Sequence, residues 1–337
     1  MRKLASIRTI DRIVPHKNAD RLEVAIIGGW PAVVSKGEFR EGDLVVFCEV
    51  DCLLPPREQY AYLEKGSRHL DANNKLWYRI KTVQLRGQLS QGLVLPLYVL
   101  DEIALGEVPF GWPEGTVVTE FLGIEKYEKP IAPNLAGTAK GAFPYFIQKT
   151  DEERIQNLKV EDLRGQPFYR SEKLDGSSCT VYRFGDVTGV CSRNLELVEN
   201  PNNTFWKVAR ESGAIDAVEK SVTPLAIQGE LIGPGIQGNP YKLSKHLFFA
   251  FNVFNINTGT YLSKGQFVEF CSEHDIPIVP GLSLGYVTTI EDVLAHADGF
   301  SLVNRETMRE GVVWTSVVGD RVSFKAISNK FLLGGGE

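Results

Sequence analysis

Lys173 lies in Ser171-Glu172-Lys173-Leu174-Asp175-Gly176-Ser177-Ser178, just before Cys179-Thr180-Val181-Tyr182, whose residue types favour a strand. Lysine is poor in strands and ordinarily sits on a solvated face. A Gly-Ser-Ser turn lets backbone come close to a ligand. A lysine at a strand edge, a carboxylate two residues on and such a turn read as a nucleophilic amine at the mouth of a nucleotide pocket. Lys-x-Asp-Gly alone is a short pattern that chance supplies often. An exposed lysine before a turn would look the same, so the weight falls on what lies downstream.

Four further pieces follow. Val190-Cys191-Ser192-Arg193-Asn194 is a strand end carrying an arginine. Ile227-Gln228-Gly229-Glu230-Leu231-Ile232-Gly233 sets a carboxylate among apolar residues. Leu247-Phe248-Phe249-Ala250-Phe251-Asn252-Val253-Phe254 is an aromatic strand. Glu310-Gly311-Val312-Val313-Trp314 and Val322-Ser323-Phe324-Lys325-Ala326 add a second carboxylate and a second lysine on strands. Each alone reads equally well as a surface charge at a strand end or an aromatic in a core.

As an ordered set, these pieces resemble the covalent nucleotidyltransferases: ATP-dependent DNA and RNA ligases and mRNA capping enzymes. Lys173-Leu174-Asp175-Gly176 matches the nucleophile motif, Ser192-Arg193 the next, Gly229-Glu230 the third, and Phe251 in its strand the fourth. Glu310-Gly311-Val312-Val313 and Phe324-Lys325 match the last two, and the resemblance covers about residues 150–332. An OB module placed first, with the chain closing soon after Lys325, is similar to the Naegleria/Deinococcus type of ATP-dependent RNA ligase. Thr150-Asp151-Glu152-Glu153-Arg154 also looks like that group. One departure is Ile327, where many RNA ligases carry a second lysine; the next lysine is Lys330.

The resemblance implies three steps. Lys173 attacks the α-phosphorus of ATP, AMP passes to an RNA 5′-phosphate, and a 3′-hydroxyl then displaces AMP. Residue types suit this chemistry. A free lysine titrates near ~10.4, so on the order of one part in a thousand is neutral at pH 7, and attack needs the neutral amine. Glu230 and Glu310 alone would favour the ammonium. Bound Mg²⁺ or Mn²⁺ reverses that field, so both carboxylates are expected at metal and phosphate, through waters. Lys325 is expected to neutralise charge on the α-phosphate. Asp175 and Arg193 would hold the lysine, ribose or incoming 5′-phosphate. Phe251 would stack on adenine, Glu172 would bond its edge, and Gly176 would let the nucleotide come close.

The elements that must position these residues divide the chain. From Leu4 to Leu97 short strands alternate with turns, including Arg21-Leu22-Glu23-Val24-Ala25-Ile26-Ile27 before Gly28-Gly29. Asp43-Leu44-Val45-Val46-Phe47-Cys48-Glu49-Val50 has an apolar centre that suggests burial on both faces. Such spacing suggests a small barrel or sandwich. His16-Lys17-Asn18-Ala19-Asp20-Arg21-Leu22-Glu23-Val24, with Leu85-Arg86-Gly87-Gln88-Leu89-Ser90-Gln91-Gly92-Leu93, resembles OB-fold tRNA-binding modules. In the stretch from Trp77 to Arg86, Trp77, Arg79 and Lys81 share one parity and so one expected strand face. Those residues, with Arg86, are the candidate nucleic-acid contacts: basic side chains beside an aromatic hold phosphate and stack a base. A solvated strand face with a partly buried tryptophan reads as well.

The expected fold is α+β: an N-terminal OB-type β-barrel, then an antiparallel-sheet nucleotidyltransferase domain of the ATP-grasp-like ligase form. Boundaries are expected at 1–100 for the OB module, 101–149 for a linker and 150–337 for the adenylyltransferase. Gly111, Pro113, Gly115, Pro130, Pro133, Gly137 and Gly141 interrupt the linker. Helices are expected over 150–158, 204–212, 264–274 and 288–297, the first capped by Thr150 and Glu153, the last by a capping box through Glu291.

Composition sets the frame. The 337 residues carry a net charge of −5, so nucleic acid must be held by a local patch rather than by overall charge. Five scattered cysteines form no Cys-x-x-Cys pair, which argues against a zinc ribbon and fits reduced thiols in the cytoplasm. No apolar run follows Met1-Arg2-Lys3-Leu4, so neither a signal peptide nor a membrane span is expected. The expected activity is ATP-dependent RNA ligation in RNA repair, acting on RNA ends, nicked duplex or an RNA–DNA hybrid, with no protein partner inferable. A capping-type guanylyltransferase, a DNA nick ligase and a non-catalytic RNA-binding protein on a ligase scaffold are the alternatives. Intact Lys173, Glu230, Glu310 and Lys325 speak against the last.

Overall fold

The computed structural model describes residues 3–104, 111–129 and 137–336. Two compact units emerge: Met1–Lys129 with Gln156–Leu158 and Leu332–Glu337, and Pro130–Ile155 with Lys159–Phe331.

The first unit is built from short strands: β1 (Ala5–Thr9), β2 (Arg12–Pro15), β3 (Leu22–Ile27), β4 (Trp30–Ser35), β5 (Leu44–Cys48) and β6 (Cys52–Leu54). β7 (Arg68–Leu70), β8 (Leu76–Arg79), β9 (Val83–Leu85), β10 (Gln88–Ser90), β11 (Leu93–Pro96) and β12 (Glu125–Lys126) complete it. β5 pairs with β1 on one side and β11 on the other. Val45, Val46, Phe47 and Cys48 are all buried, as the continuous apolar run required. β3 and β4 form a hairpin closed by Gly28, whose φ is +57°. Trp30 and Phe47 lie at the centre of one core cluster, and Ile7, Val46 and Leu54 in another. The strand spacing suggests a small barrel or sandwich, and the resemblance implies that it is an OB-type module.

Two expectations for this unit are corrected. The first is the linker. Val118, Leu122 and Ile124 are buried in the same core as Ile7, and β12 pairs with β6, so 111–129 belongs to the module. Residues 105–110 and 130–136, Pro130 and Pro133 among them, lie outside the described residues. The second is the proposed nucleic-acid face on β8. That strand lies between β6 and β7, and Trp77, Tyr78 and Arg79 are all buried. Alternation separates a wet face from a dry one only when one face is wet. Trp77 donates to Asp71 at 3.2 Å; Arg79 pairs with Asp51 at 3.7 Å and lies 3.4 Å from the centre of the Tyr127 ring. Lys81 is exposed, two residues past the strand end.

The second unit has two sheets. Its strands are β13 (Ala139–Ala142), β14 (Glu153–Arg154), β15 (Pro167–Lys173), β16 (Ser177–Phe184), β17 (Val187–Cys191) and β18 (Leu195–Leu197). They continue with β19 (Leu225–Ile232), β20 (Leu247–Asn255), β21 (Thr260–Tyr261), β22 (Gly281–Tyr286), β23 (Gly311–Ser316) and β24 (Ser323–Ile327). One sheet runs β13-β18-β17-β16-β19-β20-β21 and the other β14-β24-β23-β15-β22. Every pairing between these strands is antiparallel except β14 with β24. Helices Thr204–Glu211, Ala214–Lys220 and Lys264–Glu273 bury Phe205, Val218 and Phe267 in the core of the seven-stranded sheet.

Local signals explain most helix starts. The Asn203 side chain accepts from Trp206 N–H, and Ser263 with Gln266 makes a full capping box. In the helix Ile290–Ala297 the cap is Thr289, accepting from Asp292 N–H, not the expected box through Glu291. The helix over 214–220 was not anticipated. The expected helix over 150–158 is absent: Glu153 and Arg154 pair with Phe324 and Lys325 in a ladder, and a short 3₁₀ turn follows. Nor is 139–142 a free connection, since β13 pairs with β18.

Candidate active site

The chemistry-bearing residues sit on strands of both sheets or directly beside them. Lys173 ends β15 and pairs across the ladder with Gly311, beside Glu310. Its Nζ donates to Glu310 Oε2 at 2.6 Å. Glu230 lies on β19 opposite Ser178 of β16. Lys325 lies on β24 opposite Val313 of β23. The tight turn after Lys173 depends on Gly176: a Cβ there would lie 2.5 Å from Leu231 O and 2.8 Å from Glu230 Cγ. Asp175 N–H donates to the Tyr241 hydroxyl at 2.7 Å, which fixes the turn on the nucleophile's far side. Gly311 has a similar role at the other strand, where a Cβ would meet Ala326 O at 2.2 Å.

Opposing effects set the charge of Lys173. Burial alone would lower its pKa, but Glu310, Glu230 and Asp175 outweigh burial and hold the amine above the ordinary lysine value. Burial pushes Glu230 up to about 8, with Lys173 pulling down and Glu310 and Asp175 pushing up. Crowding three carboxylates around one amine raises the pKa of Lys173, while burial is the larger cause at Glu230. A divalent cation suits this donor set, the hard carboxylate oxygens of Glu230 and Glu310. Among the described residues no three His, Cys, Asp or Glu side chains converge as a full metal cage. Waters and phosphate oxygens would have to complete the shell of such an ion, as Mg²⁺ tolerates.

A second cluster lies at Lys325. Its Nζ donates to Asp151 Oδ1 at 3.2 Å, while Arg193 Nη2 lies 3.6 Å from Asp151 Oδ2. Asp151 thus joins two cations expected at phosphate. The residue went unrecognised because 150–154 reads as a capped helix start; its acidic run before the nucleophile was the available signal. Glu152 similarly pairs with Arg321 at 3.1 Å.

Glu172 is buried beside the nucleophile. Its Oε2 accepts from Leu302 N–H at 2.7 Å, and Oε1 is buried with no hydrogen-bond partner. Burial pushes its carboxyl up, opposed by the nearby Ser301 hydroxyl, the Leu302 N–H and Arg309. A buried acceptor left without a partner calls for an N–H or O–H donor. Phe251 is half-buried against the cluster of Leu174, Ile232, Tyr241 and Val279. Lys330 pairs with Asp298 at 3.3 Å and is largely exposed. Arg86 sits in the other unit, exposed at the β9–β10 turn with φ +47°.

A largely antiparallel two-sheet domain with Lys173, Glu230 and Lys325 on its strands and Glu310 directly before one, preceded in sequence by an OB module, is a covalent nucleotidyltransferase. The profile of the family described as RNA ligase matches residues 166–327, and an OB-fold domain profile matches residues 4–97. Naegleria gruberi RNA ligase with PPi superposes at TM-score 0.91 and 41% identity, covering 98% of each chain. A mutant of that ligase with ATP and Mn gives TM-score 0.90 at 40% identity, and one with AMP and Mn 0.91 at 41%, each covering 98% of both chains. No curated protein sequence matches. The chain belongs to the RNA ligase family, as an ATP-dependent enzyme of the Naegleria type.

Proposed function

We propose that this enzyme seals RNA 3′-hydroxyl and 5′-phosphate ends through a lysyl-AMP and an adenylylated 5′ end, acting in RNA repair in the cytoplasm. A nick in a duplex, or in an RNA–DNA hybrid, is the substrate that two ends held side by side would present. The observation that carries the reading is Lys173 bonded to Glu310 at 2.6 Å within the field of Glu230, with Lys325 on the same sheet, one strand removed. The solved relatives with ATP, AMP and PPi hold the nucleotide, the transferred group and the leaving group of such a first step. No helix among the described residues is long and apolar enough to cross a membrane.

In the first step Lys173 Nζ gives its lone pair to the α-phosphorus, the P–O bond to the β-phosphate breaks, and pyrophosphate leaves. The amine must first lose its proton. Glu310 and Glu230 would hold a divalent cation, which supplies charge that offsets the carboxylates and the triphosphate. Lys325 and Arg193, held by Asp151, face the phosphate. Phe251 stacks on the base, Glu172 accepts from its amino group, and Asp175 with Gly176 shapes the turn beneath the ribose. The test is labelling with α-labelled ATP and divalent metal, then sealing of matched nicks with RNA or DNA on each side. Lys173→Ala should give no labelled protein. Labelling by GTP instead of ATP, or labelling of Lys173→Ala, would refute the reading.

A further inference from the structure

The burial of Trp77 and Arg79 removes two of the four nucleic-acid contacts the sequence suggested and leaves Lys81 and Arg86 exposed. Those two flank the start and the turn of the β9–β10 hairpin. It forms a two-stranded sheet of its own, and every residue of β9 is exposed. Leu85 pairs with Gln88, so the turn is the two residues Arg86 and Gly87, with φ of +47° and +85°. Two left-handed residues make the turn type that suits a twisted hairpin. Arginine resists that conformation, and such a residue persists only where its surroundings over-determine it.

The surroundings do so here. His16 is buried; its Nε2 donates to Leu85 O at 3.1 Å, and its Nδ1 accepts Asn18 N–H at 3.1 Å. Asn18 Nδ2 donates to Arg86 O at 3.0 Å. The two sequence stretches singled out for one resemblance are thus tied to each other, carbonyl by carbonyl. Between the two anchors stands Lys17, exposed; Lys81 is exposed just before β9. Residues 81–90 carry two cations and no carboxylate, in a protein of net charge −5. Among the described residues Lys17, Lys81 and Arg86 enter no ion pair.

We propose that this hairpin, with Lys17 beside it, carries the phosphate backbone of the nucleic-acid substrate. The proposal rests on the RNA-sealing reading above and names the surface it requires. Arg86 on the tethered turn, Lys17 between the two anchoring residues and Lys81 ahead of β9 offer three exposed cations to phosphates. Val83 and Leu85, also exposed, offer apolar contact to sugars. Contact to phosphate alone carries no sequence preference.

The experiment uses the full chain and a nicked duplex. Replacing Lys17, Lys81 and Arg86 together by Gln should weaken nick binding at least tenfold at low salt. It should make the slope of log affinity against log salt shallower by about 2 to 3, as loss of two or three phosphate contacts requires. Self-adenylylation should be unchanged. Asn18→Ala should weaken binding less than the triple change, and not at all once Arg86 is already Gln, because its effect runs through Arg86. An unchanged salt slope would overturn the proposal. Parallel loss of self-adenylylation would also overturn it, since the hairpin would then act on the fold. Failure of the underlying reading would appear earlier, as absent lysyl-AMP or absent sealing in the unsubstituted enzyme.

Discussion

Lys173 closes β15, Glu310 immediately precedes β23, and the antiparallel pairing of those strands brings amine and carboxylate to 2.6 Å. A charge-assisted bond this short stabilises the protonated lysine. The nucleophile is therefore stored in its unreactive form and pointed by the residue that must later help to release it. Without an added positive charge, the same geometry that orients the amine prevents its use.

Glu310→Gln separates those roles. The amide keeps an acceptor near Lys173 but removes a charge that raises the amine's pKa, so the pKa falls. The rising limb of self-adenylylation against pH should move to lower pH. The plateau should fall about a hundredfold, because phosphate and cation positioning are lost with the charge. Single-turnover labelling from pH 6 to 10 measures both. A limb that stays in place would mean that Glu310 does not set the charge of Lys173.

Glu230 predicts a pH dependence of stability in the metal-free protein. Its folded value is near 8, against about 4.3 in the unfolded chain. Between these values the folded state holds a proton that the unfolded state has lost. Its contribution is therefore fully present below about pH 4.3 and is lost as pH rises through 8. In EDTA the melting temperature should drift down over that window relative to Glu230→Gln. Adding Mg²⁺ should recover much of the difference at pH 8. Equal slopes for the two proteins in EDTA would count against the assignment.

The sequence disclosed the strand-borne motifs because each is local: Lys173 with its Gly176 turn, Glu230 between apolar neighbours, and Lys325 after an aromatic. Their convergence could not be read from spacing, since 137 positions separate Lys173 from Glu310 in the chain. Order along the chain supplied it instead. Local rules failed where a distant partner overrode them. Thr150 and Glu153 have the form of a helix cap, yet the ladder of β14 on β24 is what forms. Arg79 has the parity of a wet face, yet Asp51 and Tyr127 enclose it. Buried cations need a partner, and no local pattern announces where it will come from.

Asp151 gives a third prediction. It joins Lys325 and Arg193, two cations that repel each other without it. Asp151→Asn should leave the fold intact and slow lysyl-AMP formation roughly tenfold, the scale of lost positioning rather than lost chemistry. The ATP concentration for half-maximal rate should change little, because both cations remain available to bind phosphate. Asp151→Glu should restore part of the rate. A pure rise in that ATP concentration, with the maximal rate intact, would show that Asp151 acts on binding alone.

The last prediction concerns base selection at Glu172. Its Oε2 is held by Leu302 N–H, while its Oε1 is buried with no partner. Leaving an acceptor orphaned in this way costs stability, on the order of 1–3 kcal/mol. An adenine amino group is a donor that would satisfy it; guanine offers a carbonyl at the corresponding position, and two acceptors would then face each other. Discrimination should come from that mismatch rather than from stacking on Phe251, because a stacked ring is tolerant of base identity. Glu172→Ala removes the acceptor, so ATP should lose about 10- to 100-fold in labelling efficiency while GTP loses little or gains. Glu172→Gln offers one donor as well as one acceptor and should fall between the two. Labelling efficiency with ATP and GTP, measured for all three proteins after checking that each melts cooperatively, decides the matter. An ATP-to-GTP ratio unchanged by Glu172→Ala would place base selection elsewhere in the pocket.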